Sequence, residues 1–207
     1  MSEQHTVAPS DQQIDSSKRT WIIASSCAGA VGAGFAAVPF VSSFQPSERA
    51  RAAGAAVEAD ISGLKPGEKM TVEWRGKPVW ILRRTPAQLA ELPKNDALLA
   101  DPKSLRTNFS TTPAGLQNDA RAIKPEYLVL IGICPHLGCS PSDKFVPGPQ
   151  PSLPDNWEGG FLCPCHGSTF DLSGRVYKDK PSPDNLEVPP YTYLSDTRIL
   201  IGESNKA

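Results

Sequence analysis

The chain has 207 residues, with 21 prolines, 16 glycines and a net charge of −1 at pH 7. This length allows one modest domain with an anchor, and the balanced charge gives no electrostatic basis for binding nucleic acid. The high proline and glycine content favours a loop-rich β domain over a helical protein.

The N-terminal part divides into a polar tail and an uncharged stretch. Residues 1–20 are predicted to be a flexible cytoplasmic tail, which contains His5 and Lys18-Arg19. Residues 21–44 carry no charge and are long enough to cross a bilayer as a helix. We predict an uncleaved transmembrane signal-anchor here. A cleaved secretory signal and a buried soluble helix are the alternatives.

Residues 45–57 connect this stretch to the rest of the chain and are rich in alanine, with a glycine at Gly54. They form either a simple linker or a flexible tether. Small side chains and glycine permit a change between coil and helix at low steric cost, which a tether requires.

From residue 58 onward the sequence has a β pattern. Two strands are predicted at residues 69–74 and 78–83, followed by one or two short helices between residues 86 and 105. A buried strand covers residues 127–133, whereas residues 140–157 are rich in proline and glycine and are predicted to have little regular structure. Further short strands are predicted at residues 159–162, 170–171, 174–177, 186–188, 192–194 and 198–201.

Two short cysteine and histidine segments carry the chemistry of this chain. They are box 1, Cys134-Pro135-His136-Leu137-Gly138-Cys139, and box 2, Cys163-Pro164-Cys165-His166-Gly167-Ser168. Each box offers one thiolate, one imidazole and a second cysteine. A 2Fe–2S cluster with two cysteines on one iron and two histidines on the other requires one cysteine and one histidine from each of two loops.

Three other interpretations use the same residues. Zinc accepts cysteine and histidine ligands, but a zinc site gives no reason for the extra cysteines. A thioredoxin-like redox pair needs the spacing C-x-x-C, which neither box has. A disulfide framework with uninvolved histidines is the third.

The pattern C-x-H-L-G-C followed by C-P-C-H-G-S resembles the Rieske iron–sulfur family, and within it the iron–sulfur subunit of the bacterial cytochrome bc complex. The resemblance implies an all-β, Rieske-type fold of antiparallel stacked sheets plus one N-terminal transmembrane helix. The head would cover residues 58–207, with an inserted cluster-binding subdomain at about residues 130–183.

The resemblance also assigns the ligands of one 2Fe–2S cluster. Cys134 and Cys163 would bind the buried iron, and His136 and His166 would bind the outer iron and act as the catalytic histidines. Neutral imidazoles in place of anionic thiolates raise the reduction potential of such a cluster.

The second cysteines, Cys139 and Cys165, match a pair that the family joins as a disulfide. The bridge would close a loop of about 25 residues, which the chain-entropy model values at roughly 3 kcal/mol, and it implies an oxidising compartment. Residues 180–183, Lys-Pro-Ser-Pro, resemble a loop that covers the cluster from a third side. We call these residues the proline loop.

Several residues around the cluster acquire roles from the same resemblance. Ser168 would donate its hydroxyl to a bridging sulfide, and the backbone amides of Leu137, Gly138 and Gly167 are further donors. Leu137 would also make an apolar contact with the quinone pocket. Phe170 stands where the high-potential pattern has a tyrosine hydroxyl, so we expect a somewhat lower midpoint potential.

The function implied is that of the iron–sulfur subunit of a quinol:cytochrome c oxidoreductase. The chain would take one electron from ubiquinol, with a proton leaving through His166, and would pass the electron to the c-type cytochrome of the complex. The expected partners are cytochrome b and the c-type cytochrome, within a dimeric complex and with no nucleic acid. A soluble Rieske ferredoxin and the Rieske subunit of a molybdenum oxidase such as arsenite oxidase are the alternatives.

The expected location is the bacterial inner membrane, crossed once, with the head in the periplasm. Members of this family are typically exported already folded through the twin-arginine route. Lys18-Arg19 is a weakened version of that twin-arginine signal.

Overall fold

The structure is a computed structural model that describes residues 16–48 and 54–204. It divides into two compact units, Met1–Arg49 and Ala50–Ala207. Residues 1–15 and 49–53 lie outside the described residues, and with them most of the predicted tail and the centre of the predicted tether.

Helix α1 covers Ser16–Ser43 and contains Pro39. It begins before the predicted residue 21, because Lys18 and Arg19 favour helix and extend its first turn. Hydroxyls near its C-terminal end bond back to its own carbonyls, for example that of Ser42 to Pro39 over 2.9 Å. By length and composition α1 is able to cross a membrane, and its apolar side chains are exposed, as expected for a helix in lipid.

The described part of the head contains three antiparallel sheets of three strands each. The strands are β1 (Val57–Asp60), β2 (Lys69–Trp74), β3 (Lys77–Arg83), β4 (Tyr127–Ile131), β5 (Ser142–Lys144), β6 (Gly160–Leu162), β7 (Thr169–Phe170), β8 (Tyr191–Ser195) and β9 (Arg198–Ile201). The strand order is β1-β9-β8 in the first sheet, β2-β3-β4 in the second and β5-β6-β7 in the third. Buried apolar residues of all three sheets form one core.

The second sheet delivers box 1. Its strands β2 and β3 meet at Arg75 and Gly76, which both have positive φ (54° and 71°), as a tight hairpin turn requires. Strand β4 is buried along its whole length and leads into the box. A Cβ at Gly132 would lie 2.2 Å from the Trp80 ring, so only glycine allows the chain to leave β4 there.

The third sheet delivers box 2, which connects β6 to β7. Its strand β5 lies within residues 140–157, where little regular structure was expected. Lys144 pairs with Gly160, and its carbonyl accepts a bond from the Trp157 indole over 2.8 Å. These long-range bonds order a segment whose local sequence gives no strand signal.

The structure confirms the predicted short helices and contradicts one predicted strand. The short helices are confirmed as α2 (Pro86–Glu91), capped by Thr85, and a 3-10 helix over Leu92–Leu98. Residues 186–188 were predicted to be a strand, but they bond to three different segments instead of one ladder. The N–H groups of Leu186 and Val188 donate to Gly174 and Thr111, and the Glu187 carbonyl accepts from Ile131.

Candidate iron–sulfur centre

Box 1 and box 2 fold into loops with the same backbone hydrogen bonds. In each box the N–H of the first cysteine donates to the carbonyl of the sixth residue, over 2.8 Å in box 1 and 2.7 Å in box 2. The N–H of the glycine donates to the carbonyl of the first cysteine, over 3.0 Å in both. Gly138 and Gly167 have φ of 83° and 74°, a region that side chains disfavour. The two boxes are therefore structural equivalents.

Thiols lie inside the site and imidazoles lie outside. Cys134 and Cys163 are each 1% exposed, so both thiols are buried. His136 is half-buried and His166 is exposed, and their ring centroids are 4.8 Å apart in an edge-on arrangement. Two buried thiols and two accessible imidazoles are the donor set of a mixed-ligand 2Fe–2S cluster.

The Cys134 thiol has a perturbed acidity. Burial raises the pKa of this thiol, and the neighbouring Cys163 raises it further. Hydrogen bonds from the His136 backbone and the Ser182 hydroxyl act in the opposite direction. A metal ion that bound this thiol would therefore have to displace its proton.

A disulfide joins Cys139 of box 1 to Cys165 of box 2, 26 residues apart in sequence. The Sγ atoms of Cys139, Cys163 and Cys165 all lie within 4.8 Å of one another. Two of these sulfurs are consumed by the disulfide, so the three cannot act together as thiolate ligands of zinc. The bridge holds the two boxes together at the site.

The proline loop contacts box 2. Ser168 is fully buried, and its hydroxyl oxygen accepts the backbone N–H of Ser182 over 3.0 Å. The hydroxyl proton of Ser168 stays available for another acceptor. The proline loop therefore lies against box 2, and its covering of the cluster stays a prediction.

Asp184 anchors the proline loop, a role that the sequence analysis missed. Its buried carboxylate accepts the backbone N–H groups of Phe109 and Ser110 over 2.6 Å and 3.2 Å, and the Asn108 amide over 3.4 Å. An aspartate after a proline resembles an ordinary turn residue. Local sequence therefore gave no signal for this long-range contact.

Three fully buried arginines were also missed. Arg84, Arg121 and Arg175 surround the turn that follows β7. Arg175 forms an ion pair of 2.8 Å with Asp171, in which both side chains are fully buried. A buried arginine has the same local sequence signature as a surface arginine, so pattern analysis cannot distinguish them.

Leu137 lies at the tip of box 1, with 71% of its surface exposed. The site therefore presents an apolar side chain next to its accessible histidines. Phe170 is fully buried in β7. The lower midpoint potential expected from the missing tyrosine hydroxyl stays a prediction.

Comparison with known proteins agrees with this geometry. The model of the Rieske 2Fe-2S domain family matches residues 55–191. The iron-sulfur subunit of ubiquinol-cytochrome c reductase from Allochromatium vinosum is 56% identical over 186 residues, which cover 90% of this chain and 88% of the relative. The chain belongs to the Rieske iron–sulfur subunits of ubiquinol–cytochrome c reductase.

Further matches support this family. The subunit of the same name from Bradyrhizobium diazoefficiens is 41% identical, with 87% of this chain and 90% of the relative covered. That from Rhodospirillum rubrum is 38% identical, with 91% and 93% covered. A second family model, described as the TAT signal of the ubiquitinol-cytochrome C reductase Fe-S subunit, matches residues 20–47.

Membership in the Rieske family confirms the predicted fold class and the 2Fe–2S cofactor. The chain is an oxidoreductase component of a cytochrome bc complex, and neither the soluble ferredoxin nor the molybdenum oxidase alternative is favoured. The N-terminal apolar helix agrees with membrane anchoring of such a subunit.

Proposed function

We propose that Cys134, Cys163, His136 and His166 hold the 2Fe–2S cluster of this subunit. The observation that carries the proposal is that the two equivalent boxes bring two buried thiols and two imidazole rings, 4.8 Å apart, to one site. When bound, the cluster supplies a one-electron acceptor whose potential the imidazole ligands raise. The disulfide joins the two boxes, and the proline loop contacts box 2 through Ser168.

His166 is the proposed contact for ubiquinol. It is the more exposed of the two histidines in the boxes, so a quinol hydroxyl can reach its ring from solvent or from a partner's pocket. Imidazole is able to accept that hydrogen bond and to hold the released proton near neutral pH. His136, half-buried beside it, is the second catalytic histidine.

Leu137 is the proposed apolar contact with the quinone site. A leucine that is 71% exposed at a loop tip gains free energy when a partner covers it, at about 25 cal/mol per Å² of buried apolar surface. The substrate pocket itself would be completed by cytochrome b.

The electron that the cluster takes from ubiquinol would then pass to the c-type cytochrome of the complex.

The assembly we infer is a dimeric complex in the bacterial inner membrane. Helix α1 would cross the membrane once, and the head would lie in the periplasm. The disulfide supports this side of the membrane, because such bonds persist in oxidising compartments.

Nitrogen ligation is tested by pulsed EPR of the reduced protein in its membrane complex. We expect a low average g-value and hyperfine couplings from two histidine nitrogens. His136→Ala and His166→Ala should each abolish the signal. His5→Ala, which removes the histidine outside the boxes, should leave it unchanged. A zinc content in place of iron, or a signal without nitrogen couplings, would contradict the proposed ligands.

The quinone contact is tested by Leu137→Ala. We expect a several-fold rise in KM for quinol with an unchanged EPR spectrum and midpoint potential. Leu194→Ala removes another exposed leucine, 52% exposed at the end of β8, and should leave KM unchanged. Equal KM values for the two variants would remove Leu137 from the quinone site.

A further inference from the structure

Trp80 contacts both of the chain segments that lead into box 1 and box 2. It belongs to β3, the central strand of the second sheet, and is 5% exposed. Its indole packs against the backbone of Gly132, where a Cβ would lie 2.2 Å from the ring. It also stacks on Phe161 of β6, with ring centroids 5.2 Å apart and an interplanar angle of 19°. One side chain therefore lies against the approach to each box.

The two contacts occupy equivalent positions along the chain. Gly132 comes two residues before Cys134, the first cysteine of box 1, and Phe161 comes two residues before Cys163, the first cysteine of box 2. Protein interiors are close-packed, so a shift of the indole has to be passed on to its neighbours. Because glycine has no side chain, such a shift acts directly on the backbone that enters box 1.

Further contacts hold the second and third sheets together around this indole. The ammonium of Lys69 in β2 lies 4.0 Å from the centroid of the Trp80 ring, a distance that allows a cation–π interaction. The same ammonium forms an ion pair of 2.5 Å with Asp143 of β5. Phe145 packs edge-on against Phe161, with ring centroids 5.5 Å apart. These contacts restrict the positions that the indole can adopt.

We propose that Trp80 is a positioning residue that sets the separation of box 1 and box 2, and with it the geometry of the cluster ligands. This inference rests on the proposed ligation of the cluster by the two boxes. Functional groups supplied by two loops have to be held to within about 0.5 Å by the residues that support them. The disulfide joins the boxes beyond their first cysteines, whereas Trp80 contacts the segments before those cysteines. Each first cysteine thus lies between two constraints.

Trp74 provides a matched control. Like Trp80 it is 5% exposed, belongs to the second sheet and lies against a glycine, since a Cβ at Gly202 would be 2.6 Å from its indole nitrogen. A cation also lies over its ring, that of Arg75 at 4.6 Å. Gly202 follows β9 and leads into neither box. Loss of either indole should therefore destabilise the head to a similar extent, and only loss of Trp80 should alter the boxes.

The experiment compares Trp80→Leu with Trp74→Leu in the membrane complex. EPR of the reduced protein should show shifted g-values and altered histidine nitrogen couplings in Trp80→Leu alone. The Cys139–Cys165 disulfide gives a readout that does not depend on the ligands, by equilibration in a dithiothreitol redox buffer followed by alkylation and mass spectrometry. Boxes that are held less firmly lower the effective concentration of the two thiols. We expect the disulfide equilibrium of Trp80→Leu to be about tenfold more reduced, which is about 30 mV for two electrons, and that of Trp74→Leu to keep the natural value.

Gly132→Ala tests the contact from its other side. The φ of Gly132 is not positive, so an alanine there is opposed by the Trp80 ring and not by backbone strain. Gly132→Ala should disturb the EPR spectrum and the disulfide equilibrium. In the double variant Gly132→Ala/Trp80→Leu the added methyl group enters the space that the indole leaves, so both readouts should return toward those of the natural chain. A double variant no closer to the natural chain than either single variant would overturn the proposal.

Trp80→Phe and Trp74→Phe are milder changes that keep the comparison possible if the leucine variants do not fold. Equal EPR spectra and equal disulfide equilibria within the pair would overturn the role of Trp80. Absence of a nitrogen-ligated 2Fe–2S signal in the natural chain would instead contradict the ligands proposed above. The disulfide equilibrium would then still decide whether Trp80 sets the separation of the boxes.

Discussion

The guanidinium of Arg84 donates to the hydroxyl of Ser173 over 2.8 Å, although the two residues are 89 positions apart. The other Arg84 donors reach the carbonyls of Leu172 (3.0 Å), Ala120 (2.8 Å) and Pro125 (2.6 Å). Arg84 therefore ties the turn that follows β7 to the segment that precedes β4. These two segments adjoin the strands that carry box 2 and box 1.

Burial lowers the pKa of Arg84 to about 10, against the opposing charge of Asp171. The guanidinium still carries its proton at neutral pH, and it meets mainly carbonyl oxygens instead of a carboxylate. A buried charge of this kind is tolerated only when its donors are satisfied. The burial of Arg84 is therefore stabilised by its hydrogen bonds more than by pairing with an opposite charge.

We expect Arg84→Leu to destabilise the head by roughly 3–5 kcal/mol, because it leaves several buried or partly buried oxygen atoms without donors. Urea unfolding of the detergent-solubilised chain measures this. Arg198→Leu is the control, since Arg198 forms an exposed ion pair with Glu58, and such pairs contribute about 0–1 kcal/mol. A similar, small loss of unfolding free energy in both variants would show that the buried hydrogen bonds of Arg84 contribute little to stability.

The sequence and the structure agree where local pattern determines the outcome. The β2–β3 hairpin follows from alternation around Gly76, and the two boxes are identified by residue type and spacing. Arg84 and Asp184 could not be predicted, because their partners are distant in sequence and no local signature separates them from surface residues. Strand β5 was missed for the same reason, since pairing with β6 creates it.

The disulfide is predicted to protect the cluster by keeping box 1 and box 2 together when the head begins to unfold. Replacing Cys139 and Cys165 together by serine removes a constraint that spans 26 residues, for which the chain-entropy model gives about 3 kcal/mol. The visible absorbance of the cluster should therefore disappear at a lower guanidinium concentration. Cys27→Ser, which removes the free cysteine of α1, should leave that midpoint unchanged. A double variant as resistant as the natural chain would contradict this role.

The glycine of box 2 is predicted to be needed for its backbone conformation alone. A Cβ at Gly167 would meet nothing within 4 Å, but its φ is 74°. Gly167→Ala should therefore cost about 1–2 kcal/mol of stability through left-handed backbone strain, and the variant should retain less cluster. Gly63→Ala is the matched control, since Gly63 also has open space and lacks the positive φ. If both alanine variants unfold at the same urea concentration, strain at Gly167 is not the cause.

The stability of the head is predicted to fall in alkaline solution because of Tyr191. Its side chain is 2% exposed, its hydroxyl accepts the N–H of Ile123 over 2.9 Å, and burial raises its pKa to about 12. Between pH 10 and pH 12 the unfolded tyrosine loses its proton while the folded one keeps it. The contribution is therefore complete below about pH 10 and is lost as pH rises, by roughly 3 kcal/mol in all.

Tyr191→Phe separates this contribution from the general effect of alkali. The variant leaves the Ile123 N–H without its acceptor, so it should be less stable than the natural chain by about 1–3 kcal/mol at pH 8. The difference should shrink or reverse by pH 12, because phenylalanine has no proton to lose. Burial also raises the pKa values of Tyr177 and Tyr193. The stability of the variant should therefore still fall somewhat between pH 10 and pH 12. Urea unfolding at pH 8, 10 and 12 measures the change, and a constant difference between the two curves would show that Tyr191 does not ionise on unfolding.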